Sequence, residues 1–188
     1  ADGRAVFFTA NGEAERDTLY RYHLDTARLE KLDGARVQSG ISRLAAAPDR
    51  NHLYYTRLNI VGRDRIWSEL REYDVRKNRS RAVSRLGRYR FPAISPDGRR
   101  LAAVRNEQGT SSLVVVALPD AGKVEREKEL ATASGDAALI DPVFGPDGKT
   151  IFYVRAGRDG SQLRAVDPES GRDEPILDWP CIILSPTL

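Results

Sequence analysis

Ser95-Pro96-Asp97-Gly98-Arg99-Arg100-Leu101-Ala102-Ala103-Val104 recurs as Gly145-Pro146-Asp147-Gly148-Lys149-Thr150-Ile151-Phe152-Tyr153-Val154. In both copies a turn leads straight into an apolar run. Proline presets φ, the Asp side chain can bond the backbone two residues on, and glycine supplies the dihedral that the turn needs. Weaker copies are Ala47-Pro48-Asp49-Arg50-Asn51, Ala1-Asp2-Gly3-Arg4 and Ser185-Pro186-Thr187-Leu188. Successive markers are 47, 48, 50 and 40 residues apart.

The flanks repeat as well. An apolar run follows each marker at 6–9, 53–56, 101–104 and 151–154, and another precedes it at 41–46, 91–94, 141–144 and 181–184. A third run lies at 19–25, 70–74, 113–119 and 163–167. A more charged fourth run lies at 28–32, 79–85, 124–130 and 173–177. Each unit therefore reads as four short strands joined by turns. Short strands in repeats of about 40–50 residues are the pattern of propeller blades. No helical periodicity runs far, and the most helix-like stretch, 123–132, falls where a fourth strand belongs. The expected fold is all-β: a β-propeller of about four four-stranded antiparallel blades, either a closed ring or part of a larger propeller. The expected units are 1–40 completed by 178–188, 41–87, 88–135 and 136–177, in a single propeller domain or segment spanning 1–188.

The chain has 188 residues, of which 40% are hydrophobic and 30% charged, too apolar for disorder and too polar for a membrane bundle. The net charge of +3 is nearly balanced, which argues against a nucleic-acid binder with a one-sided basic face. Arginine outnumbers lysine 25 to 5, a skew read first as base composition. No run of about 18 apolar residues exists, so no direct membrane insertion is expected. There is no methionine, which points to a processed product, an excised domain or part of something longer. The two ends match in repeat phase. That predicts a ring in which 181–184 complete the first blade, or two copies exchanging that strand as a homodimer. A window of four units from a larger propeller is the alternative.

Residues 95–104 and 145–154 resemble TolB-type, WD40-like propeller repeats. The resemblance covers nearly all of the chain and is strongest in the third and fourth units. Repeats of this kind occur in periplasmic TolB, in the propeller domains of prolyl-oligopeptidase-type peptidases and in sensor domains of regulators. The fold alone does not choose among them. Resemblance to TolB implies a periplasmic or cell-envelope location and a role in complex assembly, with the cytoplasm as the alternative.

Residues with chemical potential are few. His23 and His52 have no Cys or His partner at metal-ligand spacing, so no metal site is expected. There is no Gly-x-Ser-x-Gly elbow, dinucleotide fingerprint, phosphate loop or EF-hand, so no cofactor and no catalytic residue is expected. Asp97 and Asp147 read as turn formers. Cys181, beside Ile182 and Ile183, reads as a buried inert thiol. Trp179 reads as structural, at the entry to the last inner strand.

Partner-binding candidates are cationic and aromatic. From 71 to 90 the chain carries Arg71, Arg76, Lys77, Arg79, Arg81, Arg85, Arg88 and Arg90 against Glu72 and Asp74. Charge on an outermost strand blocks edge pairing; the other reading is a docking strip for an acidic partner, with Arg88 and Arg90 at the rim of the loop-rich face. Arg57, Arg105 and Arg155 share one repeat phase, read as salt bridges or as an anion-binding set opposite the Pro-Asp-Gly turns. The loop expected at 58–67 holds Arg63, Arg65 and Trp67, residue types typical of binding hot spots. The expected function is a non-catalytic module that binds a protein partner. The alternatives are a gating propeller of a larger serine peptidase and a ligand-sensing propeller of a regulator.

Overall fold

The structure, a computed structural model, describes residues 3–11, 17–33, 44–63, 65–85, 87–118, 127–181 and 183. Among these the regular elements are all strands: β1 (Ala5–Asn11), β2 (Asp17–His23), β3 (Arg28–Asp33), β4 (Ala45–Ala46), β5 (His52–Val61), β6 (Arg65–Asp74), β7 (Arg79–Ala82), β8 (Tyr89–Ile94), β9 (Arg100–Glu107), β10 (Thr110–Ala117), β11 (Lys128–Ser134), β12 (Ala138–Phe144), β13 (Ile151–Gly157), β14 (Gly160–Val166) and β15 (Asp173–Trp179). They form four antiparallel sheets of consecutive strands: β1-β2-β3, β4-β5-β6-β7, β8-β9-β10-β11 and β12-β13-β14-β15. The strand expected to complete the first sheet, at 181–184, lies outside the described residues apart from Cys181 and Ile183. Ring closure and strand exchange fall there too.

The turns are built as their residues dictate. The Ser95 carbonyl accepts from the Gly98 amide at 2.9 Å, and the Asp97 carboxylate accepts from the Arg99 amide at 3.0 Å. The Ser95 hydroxyl donates to the same carboxylate, which lies below its ordinary range because of that bond. Asp147 accepts from the Lys149 amide at 2.9 Å. Gly98 and Gly148 have φ of +73° and +68°, a region costly for residues with a Cβ. Successive turns also abut: the rings of Pro48 and Pro96 lie 3.5 and 3.6 Å from where a Cβ on Gly98 and Gly148 would stand.

Apolar clusters fill the three junctions. Leu19 packs with Leu53, Tyr55 and Tyr73 between the first two sheets. Tyr54, Leu70, Tyr89 and Leu101 fill the next junction, and Val104, Leu113, Leu139 and Ile151 the last. Both faces of the central strands are covered, so Leu101, Ala102, Ala103 and Val104 are all fully buried. Arg100 ties the last two sheets: its guanidinium donates to Gly148 O at 2.7 Å and to Glu169 at 2.9 Å, 5.7 Å from the Phe144 ring centre.

Several boundaries differ from expectation. Residues 58–61 and 65–67, expected in a loop, pair as strands, because Leu58 to Val61 stay paired with Arg65 to Ser68 and satisfy their backbone groups on the ladder. β11 begins at Lys128, and 119–126 lie outside the described residues. Cys181 is exposed rather than buried, because β15 ends at Trp179 and leaves the thiol beyond the sheet. Trp179 ends β15, half exposed, instead of opening an inner strand. The inner strands β8 and β12 each carry a bulge, at Phe91-Pro92 and Asp141-Pro142, with φ of 53° and 51° before the proline. A proline cannot donate to the ladder, and a bulge is where a strand tolerates one.

Candidate binding face

The face opposite the Pro-Asp-Gly turns is formed by the hairpins β5–β6, β9–β10 and β13–β14. The first has ten-residue strands, whereas β9 and β10 have eight and β13 and β14 seven. It therefore projects past its neighbours by two to three residues, about 7–10 Å at roughly 3.3 Å per residue. Its base is anchored. The Ser68 hydroxyl donates to Tyr89 O at 2.7 Å, and the backbone of Ser68 exchanges hydrogen bonds with Gly87 at 2.7 and 3.1 Å.

The pairings Arg57–Glu69, Asn59–Trp67 and Val61–Arg65 put Arg57, Asn59, Arg65, Trp67 and Glu69 on one side of the hairpin. Arg63 and Arg65 are exposed, and Arg57 and Trp67 are half-buried. Arg57 and Trp67 are diagonal neighbours, about 7–8 Å apart by ordinary strand geometry. Among the described residues, neither Arg57 Nε nor Trp67 Nε1 has a hydrogen-bond partner, although both atoms are shielded from water. A donor left in that state costs about 1–3 kcal/mol. Glu69, on the same side, hydrogen-bonds Arg71 at 2.6 Å and reaches neither of them.

The other candidates divide. Arg88 and Arg90 are exposed beside the hairpin base, with Arg88 bridged to Ser68. Arg155 is exposed and lines an open groove of about 700 Å3 with Asp136 and Asp178. Arg105 is committed elsewhere. It contacts Glu127, lies 3.2 Å from Glu129 and 3.5 Å from Glu107, and Tyr89 donates to Glu127 at 2.7 Å. Arg105 is thus a salt-bridge residue, and the three arginines of equal repeat phase have unequal surroundings.

Much of the basic strip is also neutralised. Arg81 pairs with Glu72 at 2.7 Å, Lys77 with Asp74 at 3.1 Å, and Arg85 lies 3.7–3.8 Å from Glu107 and Glu127. Cross-strand polar stripes were not read from the sequence. Tyr54 donates to Glu72 at 3.0 Å while Arg81 holds the same carboxylate, and Tyr153 donates to Asp173 at 2.8 Å while Arg164 holds it at 3.0 Å. The signal was the strand register, which aligns residues distant in sequence. Among the described residues, no group of three or more His, Cys, Asp or Glu could hold a metal, and no helix is long and apolar enough to cross a membrane.

Consecutive four-stranded meanders packed through their faces define a β-propeller. The fold is similar to that of TolB propellers. A TolB protein from Agrobacterium tumefaciens superposes with a TM-score of 0.73 at 16% identity, over 94% of this chain and 62% of that one. TolB from Acinetobacter baumannii gives 0.66 at 16% identity, over 94% and 41%. A puromycin-hydrolyzing peptidase from Mycobacterium tuberculosis gives 0.70 at 13% identity, over 93% and 30%. The chain thus spans under two thirds of the length of each of these proteins. No protein-family model and no curated sequence matches it.

Proposed function

We propose that the chain is a non-catalytic binding module that presents the β5–β6 hairpin to a protein partner. The carrying observation is the projection of that hairpin, with exposed Arg63 and Arg65 beside a Trp67 whose indole N–H has no acceptor. Arg and Trp are the side chains that most often dominate interface energetics. Arg88 and Arg90 extend the cationic rim at its base. Likeness to TolB supports an envelope setting, with a periplasmic location and a part in complex assembly. The test replaces Arg63, Arg65 and Trp67 together with Ala and measures recovery of co-purifying protein under native conditions. Recovery falls at least tenfold on this reading, and unchanged recovery rules out the hairpin as the docking face.

A gating propeller of a larger peptidase is the second reading; the likeness to the Mycobacterium tuberculosis enzyme, at 13% identity over 30% of its length, is one of fold. A hydrolase segment in the complete open reading frame would establish it.

A further inference from the structure

We infer that the β5–β6 hairpin receives an acidic peptide segment, one of whose carboxylates is taken between Arg57 and Trp67. This rests on the reading of the hairpin as the docking face and adds the chemistry of what docks. Arg57 Nε and Trp67 Nε1 are two donors on the same side of one hairpin, and neither has an acceptor. A carboxylate is acceptor-only and has two oxygens, so one group can serve both. An Arg–carboxylate contact is charge-assisted and stronger than a neutral hydrogen bond. The Glu69 carboxylate, on the same side, is hydrogen-bonded to Arg71 with its side chain only 12% exposed, and it reaches neither Arg57 Nε nor Trp67 Nε1. Both donors are sealed from solvent in the free chain, so docking includes a side-chain rotation that turns them toward the ligand. Exposed Arg63 and Arg65 at the tip, and Arg88 and Arg90 at the base, attract further acidic residues before that rotation. An extended segment suits the site, because the cations follow the hairpin rather than ring a pocket.

The chain has two tryptophans, Trp67 and Trp179, so Trp179→Phe leaves Trp67 as the sole indole reporter. In that background, a Glu- and Asp-rich dodecapeptide is titrated against its Gln/Asn counterpart and against an oligothymidylate of equal length. The acidic peptide is expected to change Trp67 emission saturably, to bind at least tenfold more tightly than the amide peptide and the oligonucleotide, and to weaken as salt is raised. Arg57→Gln should weaken it tenfold or more. The pair Arg63→Gln/Arg65→Gln, at two exposed positions, should weaken it at least threefold. Equal binding of the amide peptide, equal or tighter binding of the oligonucleotide, or no response to either variant would overturn the assignment. So would a failure of the acidic peptide to bind. If that failure came with loss of the co-purifying protein in the triple-alanine variant, the docking face would stand and only its carboxylate chemistry would fall.

Discussion

Tyr153 is 1% exposed, and its hydroxyl lies between Asp173, to which it donates, and Arg164, which donates to it at 3.1 Å. Burial, then the bond to the Asp173 carboxylate, pushes the phenol well above its ordinary range. A raised value means that the folded state holds the proton more firmly than the unfolded chain. The contribution is therefore complete below the unfolded value of about 10 and is lost as pH climbs through the folded one. Tyr153→Phe should lower stability at neutral pH by about 1.5–3 kcal/mol, the scale of a hydrogen bond to a charged group. In urea melts from pH 8 to 11.5 the gap between the two proteins should narrow above pH ~10, because the variant lacks this group. Parallel curves across that range would contradict the assignment.

The pairing of β14 with β15 depends on a missing side chain. Gly160, with φ of +140°, lies where a Cβ would collide with the carbonyl oxygen of Trp179 and stand 3.2 Å from Pro180 Cα. Both obstacles are backbone, so neither can swing aside. Gly160→Ala should cost about 2–3 kcal/mol through strain at that dihedral and loss of the strand end. For a chain of this size that is a fall in Tm of roughly 5–10 °C. Gly157, its partner across the hairpin, has room: the nearest atom to a Cβ there is 3.7 Å away. Gly157→Ala should leave Tm within about 2 °C, the ordinary scale of a tolerated surface change. Equal effects from the two substitutions would show that the close approach to β15 is not what constrains Gly160.

Across the molecule the junctions are unequal. The two between the later sheets hold broad buried clusters and, at the last, the Arg100 clasp. The first rests on Leu19, Leu53, Tyr55 and Tyr73. Stability in such an array is a sum of unit and neighbour terms. Amides of β1–β3 should therefore exchange at least tenfold faster than those of β9, β10 and β13 in native-state hydrogen exchange; uniform protection would overturn this ranking. The blade pattern was legible from the chain because Pro-Asp-Gly and alternating apolar runs act over a few residues. The turn bonds at Asp97 and Asp147 follow from those residue types alone. Strand ends, the extension of the β5–β6 hairpin and the exposure of Cys181 were not legible, because where a ladder stops depends on the strand that pairs across from it and not on the residue types alone. The sequence also treats Arg57, Arg105 and Arg155 as equivalents. Packing separates them, since a guanidinium's role depends on which carboxylates other strands bring within about 4 Å. Local chemistry thus settled the kind of blade. Three-dimensional register settled which cations are already paired, as Arg105 is, and which donors, Arg57 and Trp67 among them, are left without an acceptor.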